Sequence, residues 1–431
     1  YLRSNNLTEL PEELGEMEAL SLLDVSYNQL TSIPAALTKL TALTVLKLDY
    51  NQLTAVPDQI GALTSRRTLI LDYNNLTTLP AGLGELKRLN WLAVGHNQLI
   101  TLPRELGELT AVTALNLSSN QLAELPDELA ALQSLSTLGL GGNGLSEMPL
   151  VACELHALKS LSLSCNRLSA LPRQLGALTA LTDLMLYRNQ LTELPPEIGN
   201  LKALTTLDLS HNDLAALPAE FGGLTALTSL NLIDNQLEAL PPEIGALKAL
   251  TKLRLDENCL AALPKELGEL KALTRLGLRS NQLTTLPAEL GSFAALTMLH
   301  VGDNQLTALP SELGALTALK RLELGNNQIT ALPKEFGALK ALKHLQVANN
   351  RLASLPAELG ELKRLNELHL SNNLLTTLPK EFTNLKSLKT LSLRKNPLTD
   401  LPKELMKIMG ISPGRTRRAW VTAARSAIGK R

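Results

Sequence analysis

Aromatic residues are scarce in this chain, 3% of 431 positions, although hydrophobic residues make up 45%. A core drawn almost wholly from leucine, without large rings, points to one small unit used many times. Cysteine is scarcer still. Cys153, Cys165 and Cys259 are too few and too scattered for a disulfide framework or a zinc site, so a reducing, cytoplasmic setting is expected. No apolar run approaches the ~20 residues of a membrane span, and no charged-then-apolar leader opens the chain, so neither a span nor a signal peptide is expected. Formal net charge is +0, which gives no general pull toward nucleic acid or an anionic membrane. The balance is uneven: residues 415–431 hold six Lys/Arg and no acid, which leaves a mildly acidic body with a basic tail.

At this length two or three globular domains are the default, since single cores stop growing near roughly 250–300 residues. The register of asparagine argues otherwise. Asn5, Asn28, Asn51, Asn74 and their successors to Asn396 recur every 23 residues, eighteen times without insertion or deletion. Six residues after each stands a proline, from Pro11 to Pro402. The unit reads LxxLxLxxNxLxxLPxxLGxLxx, as in Leu230-Asn231-Leu232-Ile233-Asp234-Asn235-Gln236-Leu237-Glu238-Ala239-Leu240-Pro241.

Physical roles follow from the pattern. The LxL alternation predicts a short strand with leucines inward, paired in parallel with the strand of the next repeat. The asparagine amide satisfies backbone groups where the chain leaves the strand. Proline turns the chain to the outer face, where PxELG forms little more than one helical turn before glycine ends it. At a strand spacing of about 4.8 Å, eighteen repeats make an inner sheet on the order of 80 Å long. No repeat can bury its leucines alone, so residues 1–409 are expected to be one folding domain, followed by a basic cap or tail over 410–431.

These residues resemble the leucine-rich-repeat signature L-x-x-L-x-L-x-x-N-x-L. The resemblance implies an α/β right-handed solenoid, a curved arc with a concave parallel β-sheet and short helical or 3-10 turns on the convex side. The LxxNQLTxLPxELGxLxxL form is similar to the Ras-group intracellular repeats of Shoc-type Ras scaffolds, plant intracellular Ras-group proteins and yeast adenylyl cyclase. The glycine before Ile-Pro of secreted plant receptor repeats does not appear, nor do cysteine-rich caps. That likeness implies a non-enzymatic, monomeric interaction scaffold whose partner is a protein, by family analogy a small GTPase.

Specificity has to lie where the consensus is relaxed, at the outward positions six, four, two and one residues before each asparagine. All five tyrosines fall there, whereas Phe221, Phe293, Phe336 and Phe382 occupy leucine slots. Tyr27, Tyr50 and Tyr73 form a column in successive repeats, with Asp49 and Asp72 beside two of them and Ile70 and Trp91 on the same face. Exposed Tyr and Trp with flanking carboxylates have the composition of a protein-binding hot spot. Two plainer readings stand beside it: the tyrosines stack on one another, or the repeated Leu-Asp-Tyr-Asn at 48–51 and 71–74 is a duplication. A stretch of small residues from Ser118 and Ser119 through Gly139, Gly141 and Gly142 to Ser162, Ser164 and Cys165 follows. A second patch opens with Met185, Tyr187 and Arg188 and continues through Arg254, Asp256, Arg279, His300 and Arg321. Its mixed charge fits a polar protein interface or an ordinary solvated face.

Five of the six histidines, His96, His211, His300, His344 and His369, lie on the same face, but their spacing argues against a metal or catalytic site. His300 and His369 are three strands apart, and His344 and His369 occupy different columns, so joint ligation requires strain. Cys165 has no histidine in an adjacent repeat to activate it. No metal, cofactor or catalytic group is therefore expected. In the tail, Trp420, Ala423, Ala424, Ala427 and Ile428 share one side of a possible helix with arginines opposite, which suits a cap on the last repeat.

The leading expectation is an intracellular scaffold or adaptor in signalling that holds its partners against the concave face. The alternative is the ligand-sensing part of a larger receptor or immune protein, since the chain opens at Tyr1 inside a repeat without a leading Met. An enzyme that uses the repeats for recruitment would need a further domain.

Overall fold

The computed structural model describes residues 1–400 together with 402 and 403. The expected boundary at 409/410 and the basic segment beyond it lie outside the described residues. The chain forms two compact units, Tyr1–Asp213 and Leu214–Arg431.

Both units repeat one device. In the first, nine three-residue strands run from β1 (Leu22–Asp24) to β9 (Thr206–Asp208). They pair in parallel at the repeat register, with Leu23 opposite Leu46 and Leu46 opposite Leu69. The second unit has eight, from β10 (Ser229–Asn231) to β17 (Thr390–Ser392), where Leu253 faces Leu276 and Leu276 faces Leu299. Eighteen anchors thus give seventeen strands among the described residues, since of the three strand positions of the Asn5 repeat the sequence holds only the last, Tyr1. The alternating leucines point inward as expected: Leu46, Leu48 and Leu53 are 0% exposed. Each such side chain contributes about 2 kcal/mol of burial. Phe221, Phe336 and Phe382, in the leucine slot after the proline, and Phe293, in the next slot, are buried, which confirms them as core residues.

The outer elements are five-residue 3-10 turns, each entered from the repeat proline. Pro57, at φ −67° and ψ 147°, leads into Asp58–Ala62, where Ile60 N donates to Pro57 O at 3.0 Å. Glycine does not terminate these turns, contrary to the reading of PxELG. Gly61 lies inside the turn, which ends at Leu63 with φ −80° rather than in a left-handed cap. A Cβ on Gly61 would sit 2.4 Å from the carbonyl oxygen of Gly82, so close stacking of successive turns excludes a side chain.

The anchor asparagines do more than close the strand exit. Asn51 Nδ2 donates to Leu48 O in its own repeat and to Val25 O in the preceding one, both at 3.0 Å. Its Oδ1 accepts from Leu30 N, also at 3.0 Å. Each buried amide therefore staples two repeats together through backbone groups that the leucine core leaves without water.

The residue before each anchor has a positive φ in all eighteen repeats, seventeen of them non-glycine, with 52° at Tyr50 and 70° at Gly142. Left-handed backbone is costly for bulky side chains, on the order of 1 kcal/mol. It also aims one column of side chains out along the edge of the strand face.

Candidate interaction surface

In the first unit that left-handed column carries a stack of rings. Tyr27 lies on Tyr50 and Tyr50 on Tyr73 with centroids 4.1 Å apart, and Tyr73 lies on His96 at 3.9 Å, all within 12° of parallel. The Arg3 guanidinium covers the free face of Tyr27, 4.9 Å from its centroid. The column thus stacks on itself, as one of the sequence readings held, and still presents its edges: Tyr27, Tyr50 and Tyr73 remain 37–40% exposed. His96 joins the ladder from the same column, where the sequence could have shown it, and Arg3 joins from the position two residues before its anchor Asn5. The Tyr73 hydroxyl, then burial and the Tyr27 hydroxyl, push the Tyr50 phenol well above its ordinary range.

The other predicted residues of this patch divide. Asp72 is committed internally: its Oδ1 accepts from Gly95 N at 2.7 Å and from Asn116 Nδ2 at 3.0 Å, and burial raises its carboxyl. Asp49 is half-buried, and burial raises it too. Ile70 stands in register between Lys47 and Ala93. Trp91 is exposed at the far edge of its strand, in register with Thr68 and Ala114, outside the ring stack. Further along, Met185 is half-buried while Tyr187 and Arg188 are exposed. The Cys165 thiol beside Tyr187 pushes that phenol up. The small residues between the patches have a packing reason, since a Cβ on Gly139 would come within 2.9 Å of Asn116 Oδ1 and Ser118 Oγ.

The second unit carries charge instead of rings. Asp256 is buried, and its Oδ1 accepts from Arg279 N at 3.1 Å, the same bond that Asp72 makes one repeat onward. A Cβ on residue 277 would meet Asp256 Oδ2 at 2.3 Å, so Gly277 makes room for this carboxylate. Arg254 lies 3.7 Å from Asp256, and Arg279 Nε donates to Asp303 Oδ2 at 2.6 Å. His300 Nε2 and Arg321 Nη1 both reach Glu323 at 3.0 Å. The left-handed column here is an amide ladder: Asn326 donates to Asp303, Asn349 to Asn326 and Asn372 to Asn349 at 2.6, 2.5 and 2.8 Å.

The structure also brings His344, Glu367 and His369 together, although the column argument keeps the two histidines apart. One ligand atom from each lies within 4.8 Å of the others. Adjacent strands place diagonal side chains within reach of long residues, and that overrides the difference of column. Cys153, Cys165 and Cys259 are free, with the buried Cys153 thiol pushed up to about 11 by burial. Among the described residues no helix is long and apolar enough to cross a membrane.

Comparison with known proteins agrees with this architecture. Residues 173–276 and 311–411 match the leucine-rich repeat region, and residues 1–53, 64–122 and 248–306 match the leucine rich repeat. A leucine-rich-repeat protein of Leptospira interrogans is 35% identical over 96% of this chain and 94% of its own, with a TM-score of 0.75. The chain belongs to the leucine-rich repeat family, a non-enzymatic protein-interaction fold. The Arabidopsis receptor kinase HAESA, solved with the peptide hormone IDA and the co-receptor SERK1, is 29% identical over 94% of this chain and 75% of its own, TM-score 0.69. YopM from Yersinia enterocolitica is 28% identical over 93% and 83%, TM-score 0.64. No curated protein matches the chain.

Proposed function

We propose that this chain is a signalling scaffold that holds a protein partner against the strand face of the Tyr1–Asp213 unit, in a cytoplasmic setting. The ring stack Tyr27–Tyr50–Tyr73–His96 carries the reading. Stacked rings are already ordered, so a partner that covers their exposed edges loses little side-chain entropy, and Tyr and Trp dominate protein contacts for that reason. The chain places three tyrosines on left-handed backbone that disfavours them, which is a cost with no return in core packing. Three free cysteines support the reducing compartment. The Ras-group likeness makes a small GTPase the first partner to assay.

Affinity purification with the wild type, with Tyr50→Ala plus Tyr73→Ala, and with Arg254→Ala plus Arg279→Ala tests the proposal. Loss of partners from the tyrosine variant, with its fold retained by circular dichroism, is the expected result. An unchanged partner set in the tyrosine variant sinks it, and loss from the arginine variant alone moves the contact to the second unit.

A second reading, a ligand-sensing segment of a larger receptor, draws on the similarity to the receptor kinase HAESA, whose structure holds a peptide hormone. Retention of a secreted peptide rather than a cytoplasmic protein on the same face would favour it.

A further inference from the structure

We propose that His344, Glu367 and His369 form a binding site for one divalent transition-metal ion of the zinc class. The site lies wholly within the second unit, on two neighbouring strands, His344–Gln346 (β15) and Glu367–His369 (β16). Their parallel register sets His344 opposite Glu367 and Gln346 opposite His369. Residues i and i+2 of one strand share a face, so Glu367 and His369 project on the same side as His344 and close a triangle.

The atoms are near coordination distance already. His344 Nδ1 is 2.7 Å from Glu367 Oε2, and His369 Nε2 is 3.8 Å from that same oxygen. The two imidazoles stand 5.3 Å apart, tilted by 48°. Tetrahedral bonds of about 2.0–2.1 Å set ligand atoms roughly 3.3–3.4 Å apart, so the first of these pairs has to open and the second to close. Glu367, with its side chain 47% exposed, has the freedom to make both adjustments, while His344 and His369, at 15% and 26%, are held by their surroundings.

Behind His344, its Nε2 lies 3.9 Å from Glu323 Oε1, an oxygen that accepts from Arg321 Nη1 at 3.0 Å. Two imidazoles and one carboxylate are a zinc-type set that leaves a coordination place for water or for a group on a partner.

Chelator-treated full-length chain titrated with Zn²⁺ alone, by calorimetry, should take up one ion per chain with release of protons, since ligand protons must leave. His344→Ala, His369→Ala and Glu367→Gln should each abolish that stoichiometric uptake. A variant with all three cysteines changed to serine should bind as the wild type does. Imidazole proton resonances of His344 and His369 should shift with Zn²⁺, and those of His96 and His211 should not. Wild-type affinity in a folded His369→Ala variant overturns the site, as does the absence of stoichiometric uptake by the wild type.

Discussion

Replacing Arg66 by leucine should stabilise the protein by about 3 kcal/mol, and the reason is local. Arg66 is completely buried, at the position where neighbouring repeats carry Leu43 and Leu89, both 0% exposed. None of its three guanidinium nitrogens has a hydrogen-bond partner among the described residues. Burial lowers its pKa from the ordinary guanidinium range to about 10. That displacement corresponds to about 3 kcal/mol against the folded state, and unmade bonds to a buried charged group carry a penalty of similar size. Leucine retains the packing of the aliphatic stem and removes the charge. In a stack of repeats the gain is confined to the neighbouring units. It should therefore appear as a higher urea midpoint and as slower amide exchange at Arg67 and Thr68, which donate to Thr44 O at 2.8 and 3.1 Å. Because the folded pKa is depressed, the penalty is complete below about pH 10 and is relieved as pH rises above that toward the ordinary guanidinium range, so the gap between variant and wild type should narrow over that window. The exposed neighbour Arg67 provides the control, since Arg67→Leu makes the same charge change without the burial. No rise in midpoint for Arg66→Leu, or an equal rise for both, would refute the argument.

Asn166→Ala should cost about 3 kcal/mol or more, because it strands several buried groups at about 1 kcal/mol each. Its Oδ1 accepts from Asn143, Gly144 and Leu145 amides at 3.0, 2.9 and 3.0 Å, and its Nδ2 donates to Leu140 and Leu163 carbonyls at 3.0 and 2.8 Å. Chemical denaturation reads the loss, and a change below about 0.5 kcal/mol would count against the staple. Gly277→Ala should destabilise by about 1–3 kcal/mol through the clash with Asp256, and Asp256→Ala in the same background should recover part of it. Tyr73→Ala removes two ring contacts and should lower stability by about 1–3 kcal/mol, measured the same way. The Tyr50 phenol is raised in the fold, so its contribution is complete below the ordinary phenol range and is lost as pH rises above it. Ultraviolet titration should find Tyr50 and Tyr187 ionising late, and Tyr73→Phe should bring only Tyr50 earlier.

The period of 23 and the alternation around each anchor were enough to place strands, outer turns, core leucines and the exposed columns, because each repeat meets the same neighbours as the last. Leucine rows facing inward, tyrosines facing outward and phenylalanines in leucine slots all follow from that local pattern. Arg66 was legible too, as a break in a leucine row fifteen residues after Asn51, but only to a search of the core rather than the surface. What the pattern left open were relations between repeats. A single Asp-Tyr-Asn says nothing of a left-handed φ at the tyrosine, and the glycine of PxELG reads as a helix stop until the carbonyl of the next turn is seen against it. Asp72 and Asp256 look like free surface acids in one dimension, yet each is occupied by an amide from the following repeat. His344 and His369 show the same limit, since a column assignment fixes the side of the sheet and the strand but not how far two long side chains lean. Sequence periodicity determined which residues share a face; the distances at which side chains of adjacent repeats meet, and therefore which of them are spent within the fold, were decided only by packing.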